Sequence, residues 1–421
     1  MGRKIPARSS PTAPAPILLR RCLAALLALA FLLAAAWTLR LAWADIEYRR
    51  GTASSAQRAA RLAPGHAPYW TARSEWDSPE READLERAVR LNPYYSQAWI
   101  ELGLAAEARG DLVRAEKCLL EAARVDRGFS PRWTLTNFYF RRRDADRFWH
   151  WARLSLALAP GDATALYRLC WRFEPNAELI LSRVIPDQPD QLARYLLFLL
   201  KEKRPEAALP VAHRLIERGA AAHAGVLVGL SEQFLMRGEV EPSLALWNAM
   251  CRRGLLPYEA LEPHLARSVT NAHFHAPPRG AGFDWRIPPV EGVSASVGPG
   301  GGLQIRFSGR QPDRAELLVQ YLPVRPGECY RFRWRYRSTE LDAESGLRWQ
   351  ISETGSGRRL AAADLYSPPD PGTAALEFCT SAAVKLIKLS LRYERLAGTT
   401  PFRGTVWLEA VELAGKAARQ P

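Results

Sequence analysis

The chain has 421 residues, 48% of them hydrophobic, and a formal net charge of +14. This length gives room for two or three folded domains, and the hydrophobic content is that of an ordinary globular protein. The positive charge comes mainly from arginines spread through every region, with no basic run longer than Arg141-Arg142-Arg143. Such a distribution predicts a solvated surface and no nucleic-acid partner, because nucleic-acid sites concentrate their basic residues on one patch or tail. An anionic partner, either lipid headgroups or an acidic polysaccharide, stays open.

The amino-terminal region has the pattern of a membrane anchor. Residues 1–21 hold five basic and no acidic side chains and form a predicted basic cytoplasmic tail. No charge interrupts residues 22–39, which as a helix rise about 27 Å, close to the hydrocarbon thickness of a bilayer. We predict a transmembrane signal anchor at residues 22–43, in a single-pass protein of the bacterial inner membrane with an extracytoplasmic bulk. The alternative is a signal peptide cleaved after Ala44, because Ala42-Trp43-Ala44 fits an A-x-A site.

Two closely packed antiparallel helices are predicted within residues 96–128. Their residues recur at helical spacing on both sides of a break at Gly110-Asp111. Small residues on the facing sides allow close approach, and large residues fill the remaining gap. The packing residues are Trp99, Leu102, Gly103 and Ala106 in the first helix and Ala115, Leu119 and Ala122 in the second.

This helical pair resembles the tetratricopeptide repeat. The large residue at the same place of successive units is Trp70, Trp99, Trp133 and Leu166, with separations of 29, 34 and 33 residues. The family period is about 34 residues. The resemblance implies a tetratricopeptide-like α-solenoid over residues 45–276, with a protein partner in its groove. The alternative is that these helices only pack together and present the next domain.

The last third changes to short alternating strands. A predicted linker at residues 277–282 precedes an antiparallel β-sandwich at residues 283–414, followed by a tail at residues 415–421. The clearest strand has aromatic residues on one face, from Tyr330 to Tyr336, and arginines on the other, so one face is core and the other is wet. The predicted strands are residues 303–308, 316–321, 329–337, 346–353, 374–380, 385–394 and 402–412.

This third resembles the jelly-roll, galactose-binding-like modules that include many carbohydrate-binding domains. The resemblance rests on the opening Phe283-Asp284-Trp285-Arg286-Ile287, the Pro326-Gly327 turn before the polar-aromatic strand, and the closing strand at residues 407–413. It implies a carbohydrate ligand, placed either on the concave sheet or in the loops at one end. The fold class is therefore multidomain α plus β: a transmembrane helix, a tetratricopeptide-like solenoid and a jelly-roll sandwich.

An outward basic face on the sandwich is the predicted ligand site. Arginine forks bind carboxylate, sulfate or phosphate through two parallel hydrogen bonds, which suits an acidic glycan. The alternative is a solubilising face whose charges protect the sheet edges. The candidate ligand-binding residues, expected to meet across neighbouring strands, are Arg331, Arg333, Arg335, Arg348, Gln350, Lys388 and Arg392.

The six cysteines and the remaining polar residues give no catalytic pattern. Cys329 and Cys379 lie in predicted strands and can form a disulfide in an oxidising compartment, or remain buried free thiols. No nucleophile elbow, zinc-protease helix, phosphate loop or dinucleotide fingerprint occurs in the sequence. We predict no enzyme activity, no cofactor, no catalytic residue and no metal site.

The predicted function is a membrane-anchored scaffold. In this reading the solenoid binds a protein partner and the sandwich binds glycan or a second protein, in cell-envelope or exopolysaccharide assembly and export. A purely structural interaction protein that binds no glycan is the second hypothesis. An unrecognised envelope hydrolase is the third, and it requires acidic residues converging in a cleft.

Overall fold

The computed structural model describes residues 15–76, 80–219, 221–339, 344–366 and 373–415. Residues 1–14 of the predicted cytoplasmic tail and residues 416–421 of the predicted carboxy-terminal tail lie outside these ranges. The chain forms two compact units that divide after Leu169. The first eight helices are α1 (Ala15–Arg49), α2 (Ala53–Leu62), α3 (Ala67–Ser74), α4 (Arg81–Leu91), α5 (Ser96–Ala108), α6 (Leu112–Val125), α7 (Phe129–Arg142) and α8 (Ala145–Leu156).

The first unit consists of helical hairpins of the predicted tetratricopeptide type. In α5 and α6, the predicted packing residues Leu102, Gly103, Ala106, Ala115, Leu119 and Ala122 are buried, and Trp99 is half-buried against the core. A β-carbon at Gly103 would lie 2.7 Å from Leu119 Cδ2, so only glycine fits between the unmoved helices. Asp111 begins α6 by accepting a hydrogen bond of 3.0 Å from the Arg114 amide, as an N-cap does.

The hairpin of α7 and α8 makes its turn without the usual glycine. Arg143 ends α7 in the left-handed region, at a φ of 56°. Asp144 then begins α8, because its Oδ1 accepts a hydrogen bond of 3.1 Å from the Arg147 amide. The cap on α8 stabilises a turn whose left-handed residue carries a side chain.

α1 contains the apolar segment, and its last turns pack against α2. It is long and apolar enough to cross a membrane, by length and composition. Its apolar side chains from Leu23 to Leu39 are exposed, whereas Ala44 is fully buried and Glu47 is 2% exposed against the first hairpin. Glu47 accepts hydrogen bonds of 2.5 Å from Arg50 and 2.8 Å from Arg58.

The second unit combines helices with the predicted β-sandwich. A five-stranded sheet has the order β1-β2-β9-β4-β7, a four-stranded sheet has the order β3-β8-β5-β6, and the strand pairs in both are antiparallel. The later helices are α9 (Thr164–Phe173), α10 (Ala177–Arg183), α11 (Pro189–Lys201), α12 (Pro205–Glu217), α13 (Ala224–Met236) and α14 (Val240–Arg252). The strands are β1 (Val293–Val297), β2 (Leu303–Ser308), β3 (Arg314–Pro323), β4 (Cys329–Thr339), β5 (Leu347–Glu353), β6 (Arg359–Asp364), β7 (Thr373–Cys379), β8 (Leu386–Glu394) and β9 (Arg403–Gly415).

The sandwich core is aromatic, as the alternation in β4 predicts. Phe332 and Trp334 are 0% and 1% exposed, and Trp349 of the opposite sheet packs edge-on against Phe332 with ring centroids 5.1 Å apart. All seven predicted strands are present, together with β1 and β6, which the sequence pattern did not indicate. Cys329 and Cys379 face each other on β4 and β7 and form a disulfide.

The segment between α14 and the sandwich packs on both at particular residues. Phe274 and Trp285 belong to the sandwich core, and Gly282, in the predicted linker at residues 277–282, lies against the fully buried indole of Trp247 in α14. A β-carbon at Gly282 would collide with that indole. Gly282, the last residue of the predicted linker, therefore packs directly on α14.

Candidate functional site

A groove of about 1010 Å³ lies over the outer face of the four-stranded sheet. Its floor is formed by outward side chains of β3, β5 and β8, one wall by the turns at 353–357 and 381–386, and the other by the turn between α13 and α14. The side chains used in the argument below are Arg237, Glu316, Gln350, Glu353, Lys388 and Arg392.

The groove floor is a ladder of polar residues set by strand register. Lys388 lies opposite Tyr321 on β3 and Ser352 on β5, while Arg392 lies opposite Glu316 and Arg348. Because side chains at every second position share a face, these residues all point away from the core. The floor can therefore present amide, hydroxyl, ammonium and guanidinium groups to one extended ligand.

Two contacts hold the floor side chains in place. Lys388 Nζ donates a hydrogen bond of 2.9 Å to Glu316 Oε2, and both side chains are about one-third exposed. Arg392 Nη1 donates one of 3.2 Å to Gln350 Oε1. Because the Gln350 amide is neutral, this hydrogen bond does not compensate the positive charge of the Arg392 guanidinium.

The turn wall carries a carboxylate with fixed ionisation. Arg358 donates a hydrogen bond of 2.5 Å to Glu353, and the Ser356 hydroxyl donates one of 2.6 Å. The Arg358 guanidinium, followed by Ser356, lowers the pKa of Glu353 to about 2. Glu353 is therefore an anion at every physiological pH, and it is held as a structural acceptor.

The helical wall is held to the sheet edge by Arg286. Its guanidinium lies 4.6 Å above the Tyr321 ring and makes an ion pair of 2.5 Å with Glu232 of α13. The backbone amide of Gly282 donates a hydrogen bond of 2.6 Å to the same carboxylate. Glu232 thus connects α13 to Arg286, whose backbone pairs with Val319 at the edge of the four-stranded sheet.

A buried carboxylate lies in the chain segment that leads to this edge of the sheet. Asp284 is fully buried and accepts hydrogen bonds from the Tyr258 hydroxyl at 2.7 Å and from the backbone amides of Arg279 and Trp285, each at 2.8 Å. Burial raises the pKa of Asp284 despite these three donors. The cost of removing the charge from water therefore outweighs the hydrogen bonds.

The structure divides the predicted ligand residues between two faces. Gln350, Lys388 and Arg392 come together in the groove, and Arg348 lies on the same sheet, paired with Asp364 at 3.0 Å. Arg331, Arg333 and Arg335 belong to β4 in the other sheet. The prediction that all seven meet on one face is wrong, because the outer faces of two packed sheets point in opposite directions.

The arginines of β4 lie among carboxylates. Arg331 donates to Glu377 of β7 at 2.7 Å, and Arg333 lies 3.8 Å from Glu412 of β9. These cross-strand pairs bring opposite charges together along the outer face of the five-stranded sheet. Arg331 and Arg333 are therefore each paired with a carboxylate of a neighbouring strand.

A smaller concavity of about 480 Å³ lies at one corner of the five-stranded sheet. Trp407 is half-buried there between Gln304 and Arg337, its cross-strand neighbours, and the Arg337 guanidinium lies 5.1 Å from the ring centroid. His273 and His275, which stack at 5.6 Å, form part of its rim. Because Arg337 covers the indole, the larger groove is the stronger candidate site.

The sequence pattern does not predict the groove walls or the whole of its floor. Glu316 and Tyr321 were in a predicted strand without any sign that they join the site, and Arg237 and Gly238 come from a helix turn far away in sequence. In the part of the chain that the structure describes, no group of three or more His, Cys, Asp and Glu side chains could hold a metal ion. The groove offers hydrogen bonds and charge to a ligand.

The comparisons with known proteins concern the fold. No protein-family model matches the sequence, and no curated protein matches it. A carbohydrate-binding module, CBM4, shares 14% identity with a TM-score of 0.29, covering 35% of this chain and 100% of its own. Yeast Tom70 shares 14% identity with a TM-score of 0.27, covering 51% of each chain, and the tetratricopeptide protein YrrB shares 11% with a TM-score of 0.24, covering 48% of this chain and 93% of its own.

The chain itself joins helical hairpins to an antiparallel β-sandwich. The low identities and TM-scores transfer no ligand and no partner. The description of the site therefore depends on the groove residues themselves.

Proposed function

We propose that this protein is a membrane-anchored scaffold whose sandwich binds an acidic glycan in the groove over the four-stranded sheet and whose helical hairpins bind a protein. The observation that carries the proposal is the charge of the groove. Its lining has four basic side chains, Arg237, Lys385, Lys388 and Arg392. Carboxylates pair with the first three, whereas Arg392 donates its hydrogen bond to the neutral amide of Gln350. A half-open groove with fixed polar groups and a guanidinium whose hydrogen-bond partner is neutral suits an extended polyanion.

The proposed location is outside the cytoplasm of a bacterium, in its envelope. α1 supplies the anchor, and the basic residues before it favour a cytoplasmic amino terminus. The disulfide between Cys329 and Cys379 supports the same location, since disulfides persist in oxidising compartments. A role in exopolysaccharide assembly or export follows from combining this location with a glycan ligand.

The proposed chemistry is recognition without catalysis. The two groove carboxylates are both paired, Glu316 with Lys388 and Glu353 with Arg358. The pKa of Glu353 is lowered, whereas a general acid at neutral pH needs a raised one. The groove therefore lacks the paired acid and base of a glycosidase, which supports a binding protein over an envelope hydrolase.

The test is equilibrium binding of the full chain, reconstituted in nanodiscs, to alginate and polygalacturonate as acidic glycans and to dextran as a neutral one. We expect the acidic glycans to bind and the substitutions Gln350→Ala and Arg392→Ala each to weaken binding by about tenfold, the loss of one hydrogen bond to a charged group. Arg333→Ala, on the other outer face, is the matched control and should leave binding unchanged.

A second candidate, a scaffold that binds only proteins, is favoured by the groove rim. Met236 is 53% exposed beside Leu235 and Val240, and flexible methionines suit peptide partners. Binding of none of the three polysaccharides, together with membrane co-purification of a partner lost on Met236→Lys, would support this candidate over the glycan.

A further inference from the structure

The last turns of α1 pack antiparallel against α2, so the two helices form a hairpin. α1 continues without a break to Arg49, and α2 runs back beside its last turns. Arg40 Nε donates a hydrogen bond of 2.6 Å to the carbonyl oxygen of Leu62, the last residue of α2. This contact fixes how far the end of α2 lies along α1.

The position of Arg40 also fixes a height relative to a membrane. The helix rises about 28 Å from Arg21 to Arg40, the two charges that bound the apolar stretch, which matches a hydrocarbon core of about 30 Å. Trp37 and Trp43 flank Arg40 and are 55% and 62% exposed, as expected of aromatic side chains at a membrane interface. Leu62, bonded to Arg40, therefore lies at the level of the lipid headgroups.

Two helix turns share that level. The turn at residues 63–66 follows Leu62 directly, and Gly65 within it has open space around its α-carbon. α3 then leads away and α4 returns, so the turn at residues 92–95 lies at the same end of the helices. Tyr94 in that turn is 76% exposed, and Leu91 before it is 40% exposed. Exposed tyrosine and leucine are side chains that enter a membrane interface favourably.

We infer that the turns at residues 63–66, between α2 and α3, and 92–95, between α4 and α5, contact the phospholipid headgroups of the leaflet on the exported side. Arg61 is exposed on the last turn of α2 and supplies positive charge where the lipid phosphates lie. The inference rests on the membrane anchor of the proposed function. Helices α2 to α4 would then have a fixed orientation relative to the membrane surface, because they contact it directly and are not only linked to it through α1.

The experiment measures depth by fluorescence quenching in nanodiscs of phosphatidylcholine and phosphatidylglycerol. The full chain carries one NBD label on an introduced cysteine, with Cys22→Ala to remove the exposed native thiol; Cys118, Cys170 and Cys251 are buried. The labelled variants are Gly65→Cys and Tyr94→Cys in the turns, Ser54→Cys at the far end of α2, about 12 Å beyond Leu62, and Leu29→Cys within the span. Spin-labelled lipids carry the quencher either on the headgroup or on the acyl chain.

We expect the labels at 65 and 94 to lose most of their fluorescence with headgroup quencher, and the label at 54 to lose little. The label at 29 should respond to acyl-chain quencher. If the labels at 65 and 94 respond no more than the label at 54, while the label at 29 is quenched, the headgroup contact is wrong and the anchor stands. If the label at 29 is not quenched, the anchor itself fails, and with it the location in the proposed function.

Discussion

Trp99 Nε1 donates a hydrogen bond of 2.8 Å to the carbonyl oxygen of Pro93, six residues earlier. Trp70 makes the same bond, at 2.9 Å, to Pro64. The first unit is therefore built like the second, although 29 residues separate the two tryptophans instead of the 34 of a full repeat. The indole N–H ties the start of each hairpin to the end of the preceding helix, which defines where one repeat stops and the next begins.

Gly103→Ala tests the close contact between α5 and α6. The added β-carbon would lie 2.7 Å from Leu119 Cδ2 and 3.2 Å from the Ala115 carbonyl oxygen, so we expect a loss of about 1–3 kcal/mol in unfolding free energy, less about 1 kcal/mol gained from helix propensity. Urea denaturation in detergent measures it. Gly225→Ala in α13 is the control, because its β-carbon meets nothing and should stabilise slightly. Equal effects at both sites would contradict the packing.

The disulfide should contribute strongly to the stability of the sandwich. Cys329 and Cys379 close a loop of 50 residues, which corresponds to about 4 kcal/mol in the chain-entropy account. We expect Cys329→Ser with Cys379→Ser to lower the urea midpoint, and dithiothreitol to lower that of the wild type but not of the double variant. A wild-type midpoint indifferent to reductant would mean that the two thiols are not joined.

Asp284 should make folding less favourable as the pH rises. Burial raises its pKa above the ordinary value of 3.8, so its contribution favours folding fully below 3.8 and is lost as the pH rises through the folded-state pKa. Asp284→Asn removes this titration and keeps an acceptor oxygen. We therefore expect the variant to gain stability relative to the wild type between about pH 4 and pH 7, measured by urea denaturation at both values. A constant difference would show that the carboxyl is ionised without cost.

Glu353→Gln should show the opposite slope. Arg358 lowers the pKa of Glu353 from 4.5 to about 2, so the ionised form favours folding above pH 4.5, and that contribution is lost as the pH falls towards 2. The variant should be less stable than the wild type at pH 7, and the difference should shrink between pH 4.5 and pH 3. Its trend, opposite to that of Asp284→Asn, separates the local carboxyl from any global effect of acid.

The amino-terminal helix should remain on the protein. Ala44, which ends the A-x-A pattern, is fully buried against the first hairpin, and Glu47 just beyond it pairs with Arg58. Cleavage after Ala44 would remove Arg40 and Trp43, which bond to Leu62 and Glu47. We expect intact-mass spectrometry of protein purified from membranes to give the full-length chain. A chain beginning at Asp45 would decide for the signal peptide.

The strands could be predicted wherever alternation was strong. β4 alternates aromatic and arginine residues along its whole length, and its faces are those expected. β1 is Val-Ser-Ala-Ser-Val, which alternates but with small side chains only. β6 is Arg-Leu-Ala-Ala-Ala-Asp, whose three successive alanines break the alternation. Neither strand has enough apolar bulk to distinguish a sheet edge from a loop.

The site could be predicted only in part, because sheet membership is not a local property. Gln350, Lys388 and Arg392 were identified as outward residues from their own strands. Whether Arg333 joins them depends on β4 pairing with β7 and β9, contacts between residues far apart in sequence. The wall formed by the turn at Arg237 comes from a helical hairpin and could not be assigned from any strand pattern.

The fit of Trp247 against Gly282 bears on how such a chain can be assembled from parts. A recombination joint placed between α14 and Gly282 would leave the Trp247 indole exposed on one fragment and would expose the surface around Gly282 on the other. Any gene fusion that uses the β-sandwich must therefore include α14 as well. The part that can be exchanged as one folded piece is α14 together with the sandwich that follows it.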